Sequence, residues 1–213
     1  MKISVVSPCH INDLYCLPNY FSHLNNQTRL PDEVVLYIQP IKDFEFNAYD
    51  YIDKRVSVKL ITSETPTPMG FNKNRAVENT SGDILCLMDI DDEPHPQKLE
   101  IVENFFKTNQ NCDILLHTYQ MNNSKILEVK FDVLNIPYDI LKTKYSDGVY
   151  VDEEPSYPLH KAHSSMKKEI WEKTKFREEQ NYFRRDDSEF ILDNFNKGTQ
   201  IYSINYNLVN FVK

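Results

Sequence analysis

The chain has 213 residues, enough for one α/β domain around a substantial core, so a single domain spanning 1–213 is expected. With 24 Lys and Arg against 32 Asp and Glu it carries a formal net charge of −8 and a pI near 5.3, a balance that repels a nucleic-acid backbone unless a local basic patch outweighs it. The densest basic spots, Lys167-Lys168 and Arg184-Arg185, are short and read as solvated charges; the opening apolar run, stopped by Pro8, is too short for a signal peptide, and no later run is long enough to span a membrane.

In chain order, Ile3 to Ser7 reads as a buried strand, and about Asp13 to Asn26 as a helix whose inner face holds Leu14, Leu17, Phe21 and Leu24. Strands are expected at Glu33 to Gln39, Val56 to Thr62 and Asp83 to Met88, with a helix from about Phe71 to Asn79 before the last. That helix is expected to stop at Ser81-Gly82, where glycine can take the left-handed cap. Such alternation belongs to a mostly parallel sheet covered by helices. Pro94 and Pro96 then open a helix to about Asn109, with Pro96 at its first position and Leu99, Val102, Phe105 and Phe106 inward. Asp113 to Met121 and Ile126 to Val133, joined at Asn122-Asn123-Ser124, read as an antiparallel hairpin. Pro137 to Pro158 reads as a long loop of the kind that is usually functional or mobile. Helices at about Lys167 to Lys175 and Asp187 to Asn196, and strands at Gln200 to Ile204 and Asn207 to Val212, complete the domain.

Cys9, Cys16, Cys86 and Cys112 show neither CxxC spacing nor a nearby His set, so neither a zinc site nor a redox motif is indicated. A reducing, cytoplasmic compartment fits, in which the sequon Asn79-Thr80-Ser81 stays bare.

The sharpest local feature is Ile84-Leu85-Cys86-Leu87-Met88-Asp89-Ile90-Asp91-Asp92, a buried strand ending in carboxylates. In an extended chain Asp89 and Asp91 project from one face while Ile90 points to the core. Two like charges so close are most easily accommodated beside a cation, and Mg²⁺ or Mn²⁺ prefers oxygen ligands of this sort. The alternative is an acidic turn that caps the following helix through Asp92 or Glu93.

The run from Lys73 to Asp92, followed by Pro96 and Leu99, resembles the donor-site block of family-2-like glycosyltransferases with the GT-A fold. The opening Ile3-Ser4-Val5-Val6-Ser7-Pro8 resembles that family's first strand and nucleotide-binding loop. The likeness is close over roughly the first half and loose over the second. It implies an α/β, Rossmann-like GT-A fold, with a mostly parallel central sheet, flanking helices and a small antiparallel portion. Residues 1–92 would be the nucleotide-binding half and 93–213 the acceptor-binding half. The size and these runs also resemble a compact, virus-encoded (chlorella virus) type of the family that decorates a major capsid protein.

The resemblance further implies a UDP-sugar donor, glucose or a related hexose, a glycan or glycoprotein acceptor, and Mn²⁺ or Mg²⁺ as cofactor. Ser7, Pro8 and on to His10 would lie against base and ribose. Gln39 stands where an Asp is common, and its amide offers a uracil edge both a donor and an acceptor. Lys73-Asn74 replaces the family's Arg-Asn, with Arg75 one place later; any of these would approach the diphosphate, or Lys73 and Arg75 are solvated helix charges. Asp89 would touch ribose or the metal's water shell, Ile90 would line the donor site, and Asp91 would ligate the metal.

Arg184 to Phe190 resembles the family's Glu-Asp pair at the start of a late helix. Asp186 takes the Glu position and Asp187 becomes the general base, which implies inversion; the alternative is that both only cap the helix. His163, in Leu159 to Ser165, would touch phosphate or sugar, or be a hydrogen-bonded loop histidine. Many relatives carry a metal-binding His after the late helix; this chain has no His beyond His163, so that ligand is missing or supplied by water. Trp171 and the Tyr145 to Tyr157 loop could stack on an acceptor sugar, although Trp171's helical spacing also suits the core.

Phosphatases of the haloacid-dehalogenase type also place Asp-x-Asp after an apolar strand, but they want Thr or Val where Glu93 stands and put the motif near the N-terminus. A nucleotidyltransferase needs a Gly-rich phosphate loop, and the chain has four glycines in all. A non-catalytic nucleotide-sugar or carbohydrate-binding module is the remaining alternative, against which Asp91 and Asp187 argue.

Overall fold

The computed structural model describes residues 1–121, 161–179 and 186–212. The turn at Asn122-Asn123-Ser124, the strand Ile126 to Val133, the loop Pro137 to Pro158 with its tyrosines, and Arg184-Arg185 lie outside the described residues.

Runs of Val, Ile and Leu build the first four strands, β1 (Ile3–His10), β2 (Glu33–Gln39), β3 (Ser57–Thr62) and β4 (Ile84–Leu87). They pair in parallel in the order β3-β2-β1-β4. The sheet continues through β7 (Ser165–Lys167), β6 (Ile114–Met121), β8 (Ile201–Phe211) and β5 (Glu93–Pro94). β7 runs antiparallel to both β4 and β6, β6 and β8 are parallel, and β5 is antiparallel to β8. The fold is therefore a mostly parallel α/β sheet with a small antiparallel portion.

Both faces of the sheet are covered, so its central strands β1, β2 and β4 are buried at nearly every position instead of at alternate ones. On one face Val5, Val34, Leu36, Cys86 and Met88 meet α1 (Leu17–Asn25) and α3 (Lys98–Thr108). On the other, Val6, Val35, Leu85 and Leu87 meet α2 (Met69–Glu78), α4 (Lys168–Lys173) and α5 (Asp186–Asn196). The period-two alternation of β4 thus assigns each side chain to one layer. Cys86 and Cys112 are buried and all of the cysteines are free. Among the described residues no helix is long and apolar enough to cross a membrane.

Several expected boundaries differ. The first helix begins with a 3₁₀ turn, Ile11–Cys16, and α1 starts only at Leu17, with Pro18 in the opening turn where a missing N–H costs nothing. α3 starts at Lys98, not at Pro96, whose carbonyl instead accepts from the Thr28 amide at 2.8 Å. α2 ends at Glu78 on Asn79, and Gly82 is not a left-handed cap: among the described residues the glycine with a positive φ is Gly198. Gly82 is there for closeness, because a Cβ would lie 2.3 Å from Ser4 Oγ and 2.8 Å from Ser4 N. The two expected C-terminal strands are one, β8, whose partner β6 shifts register around Thr118.

Candidate active site

Parallel pairing brings the carboxyl ends of β1, β2 and β4 to one edge, the edge at which open α/β sheets bind ligands. At the end of β1, Ser7 and Pro8 are buried, and Ser7 Oγ lies 2.6 Å from the Tyr20 hydroxyl. His10 is half-buried and its Nδ1 accepts from the Asn12 amide at 3.2 Å, capping the 3₁₀ turn. At the end of β2, Gln39 is buried and pairs with the backbone of Thr67: Nε2 donates to the carbonyl at 3.1 Å and Oε1 accepts from the amide at 2.7 Å. The donor and acceptor that sequence reasoning offered to uracil thus hold the segment leading into α2.

After β4 the chain turns at Ile90-Asp91 instead of running on extended, so the shared face expected for Asp89 and Asp91 is not formed. Asp89 continues the alternation of Leu85 and Leu87, and Ile90 packs into the α1–α3 core as expected. Asp91 is exposed and lines a cavity of about 330 Å³ with Tyr15, Cys16, Asn19, His23 and Glu93. Asp92 is buried: Oδ2 lies 2.9 Å from His163 Nε2, and Oδ1 accepts from the Val212 amide at 3.0 Å. Asp89, Asp92 and His163 offer ligand atoms within 4.8 Å of one another, a donor set rich enough in oxygen to fit a hard divalent cation. Burial pushes the Asp89 carboxyl up to about 8, against the pull of Lys73, and pushes Asp92 up to about 7.

The other half of the site joins α2 to α5 across the chain. Lys73 Nζ donates to Asp186 Oδ2 at 2.7 Å and also contacts Asp187 Oδ1. The Lys73 and Asp186 side chains are 2% and 4% exposed, whereas Asp187 is 22% exposed, so Asp187 is the carboxylate that a ligand can reach. Burial alone would lower the Lys73 ammonium, but Asp187 and Asp186 outweigh it and hold the group above its ordinary value. Burial raises Asp186, with Asp187 adding to the rise and Lys73 opposing it. Acidic residues at the first turn of α5 also suit the positive end of its dipole. Gly70 lets α2 come close enough, since a Cβ there would lie 2.0 Å from the Arg177 carbonyl oxygen.

The neighbours of Lys73 face elsewhere. The buried Asn74 side chain donates to the Phe176 carbonyl and Glu178 and accepts from Trp171 Nε1 at 2.9 Å and the Phe176 amide at 3.1 Å. Trp171 is accordingly a core residue, 4% exposed. Arg75 pairs with Glu78 and Glu178 and lies over the Phe71 ring, whereas Lys73 is the cation of the two that pairs with Asp186 and Asp187. Sequence reasoning missed the buried Lys98, whose Nζ lies 3.1 Å from His163 Nδ1. Its signal was its place on the inner stripe of α3, ahead of Ile101, Val102 and Phe105.

Residues 4–200 match the sequence model described as Glycosyl transferase family 2. The chain belongs to that family. Its fold is similar to S. aureus TarS 1-349 crystallised with UDP-GlcNAc, with a TM-score of 0.74 and 16% identity over 100% of this chain and 59% of that one. The complex of TarS 1-349 with UDP gives a TM-score of 0.72 at 16% identity, over 100% of this chain and 61% of that one. Glucosyl-3-phosphoglycerate synthase from Mycobacterium tuberculosis, in complex with phosphoglyceric acid, gives 0.62 at 13% identity, over 98% of this chain and 71% of that one. The chain therefore spans about three-fifths of the TarS 1-349 chains it matches, and the likeness carries the GT-A fold. No curated protein matches the sequence. The haloacid-dehalogenase alternative does not stand beside this family membership.

Proposed function

We propose that this glycosyl transferase family 2 chain moves a sugar from a UDP-sugar to a hydroxyl of a glycan or protein-linked acceptor, with inversion, using Mn²⁺ or Mg²⁺. The observation that carries the reading is the meeting of Lys73, Asp89, Asp186 and Asp187 at the carboxyl edge of the parallel strands. TarS, similar in fold, was crystallised with UDP-GlcNAc, which favours a UDP-sugar.

In this reading Asp89 and Asp91 face the donor's ribose and diphosphate, with Ser7, Pro8 and His10 beside the base. Gln39 acts on the base indirectly, by fixing Thr67. A divalent cation held at Asp89, with Asp91 or with Asp92 and His163, would supply positive charge to offset that of the departing diphosphate. Asp187, the accessible carboxylate, takes the proton of the acceptor hydroxyl while its oxygen bonds to the anomeric carbon and the bond to the diphosphate oxygen breaks. Lys73 aims Asp187 beforehand, and Asp186 keeps the ammonium paired once Asp187 is neutral. A base on the face opposite the leaving group gives inversion.

Donor hydrolysis tests the reading without a known acceptor. Purified protein with Mn²⁺ is expected to release nucleotide slowly from at least one member of a panel of UDP- and GDP-sugars, and to leave p-nitrophenyl phosphate intact. Phosphatase turnover without nucleotide release would refute it.

A further inference from the structure

The cavity of about 330 Å³ on the α1 side of the acidic turn carries side chains that the transferase reading leaves unused. Asn19 and His23, one helical turn apart on α1, stand on one wall, and Ile90, Asp91 and Glu93, after β4, stand on another. Tyr15 joins them from the 3₁₀ turn that follows β1. At 78% exposed, it is the most exposed large hydrophobic side chain among the described residues.

The cavity and the base Asp187 lie in different layers. Ile90 and the inner face of α1 belong to the core on one face of the sheet, whereas Asp187 opens α5 on the other. A ligand in the cavity is therefore across the acidic turn from the group that takes the proton. Asp91 is the residue common to this cavity and the donor side.

Charge and shape narrow the occupant. Asp91, Asp92 and Glu93 line the cavity, Asp13 shares the 3₁₀ turn with Tyr15, and none of the described lining residues is Lys or Arg. A phosphate or a uronate would meet like charge there. A neutral sugar meets partners instead: carboxylates accept from its hydroxyls, and the Asn19 amide both donates and accepts. The C–H face of a pyranose is apolar, and the exposed Tyr15 ring offers it a rigid plate at low cost in side-chain freedom. The volume, at the small end of the range for ligand pockets, suits a short saccharide.

We propose that this cavity is an acceptor subsite: it holds a neutral sugar unit of the acceptor glycan, stacked on Tyr15 and hydrogen-bonded by Asn19, His23 and Glu93, while a hydroxyl of another unit lies at Asp187. Glycans with a phosphate or uronate at this unit are rejected. The acceptor role rests on the transferase reading; the capacity to bind neutral saccharide does not.

Saturation-transfer NMR without donor or Mn²⁺ tests the binding. The neutral probes are cellotetraose, maltotetraose, mannotetraose and N-acetylchitotetraose, set against oligogalacturonate and glucose 6-phosphate. Alkylation by iodoacetamide locates it, because Cys16 lines the cavity and is half-buried, whereas Cys9, Cys86 and Cys112 are buried. The wild type is expected to bind at least one neutral tetraose and neither anion, with Cys16 alkylation slowed by the bound sugar. Tyr15→Ala, which truncates an exposed side chain, is expected to weaken that binding by about 10-fold or more. A bound sugar that leaves Cys16 alkylation unchanged, or undiminished binding in Tyr15→Ala, overturns the proposal. So does a wild type that binds no neutral tetraose, or that binds the anions equally well; donor hydrolysis by that same protein would leave the transferase reading intact. Tetraose binding at Cys16 in a protein that hydrolyses no donor leaves a saccharide site and removes the acceptor role together with the transferase reading.

Discussion

Asp187→Asn is expected to reduce nucleotide release from the UDP-sugar by about 10²- to 10⁴-fold, the usual contribution of a positioned general base, while donor uptake stays at the wild-type level. The amide preserves the shape of the side chain but cannot take up a proton. Asp187 is singled out from Asp186 by access: its side chain is 22% exposed against 4% for Asp186, and only a group that the acceptor hydroxyl can approach within hydrogen-bond distance can serve. Lys73 touches both carboxylates, so the substitution leaves the ammonium with Asp186 as its partner and the fold should persist. Hydrolysis at the wild-type rate in Asp187→Asn would remove the base assignment, and loss of donor uptake would move Asp187 into the binding machinery.

Lys73→Met is expected to lower stability by about 3–5 kcal/mol near pH 8, because removing one partner of a buried ion pair leaves the others uncompensated. The group left behind is a pair of carboxylates at the first turn of α5, of which Asp186 is buried. Without the ammonium, the folded-state value of Asp186, already raised by burial, rises further. A carboxyl whose folded value exceeds its unfolded value contributes stability that is fully present below the unfolded value and lost as pH rises through the folded one. The deficit of the variant should therefore be smallest in acid and widen toward alkaline pH. Urea unfolding of both proteins at several pH values checks this, and a deficit that is small or independent of pH would mean that Lys73 is not a structural counterion of the pair.

Much of the scaffold was legible in the sequence because its strands are buried on both faces and read as unbroken apolar runs. β2 at Glu33–Gln39 and the inner face of α3 follow directly from this. β7 and β5 did not show, since Ser165–Lys167 and Glu93–Pro94 are too short to carry a period and pair only through their neighbours. At the site, the acidic block and the late Asp pair stood out as residue types. What joins them did not: Lys73 and Asp186 are 113 residues apart, and no local pattern announces such a contact. The common face of Asp89 and Asp91 was inferred from strand geometry, and it failed because the chain turns at Ile90. Gln39 was given a ligand because its amide could pair with uracil, whereas a backbone amide of Thr67 offers it the same complement. Lys98 was overlooked although a cation on the inner stripe of an amphipathic helix requires a buried partner.

The central claim is that the acidic turn after β4 binds an activated sugar through a divalent cation. Calorimetric titration of UDP-sugars in manganese buffer, on the wild type and on Asp89→Ala and Asp91→Ala, tests it most directly. Uptake by the wild type that requires Mn²⁺ and disappears in both variants is the predicted result. A wild type that takes up no UDP-sugar, or an Asp91→Ala protein that takes it up undiminished, would contradict it.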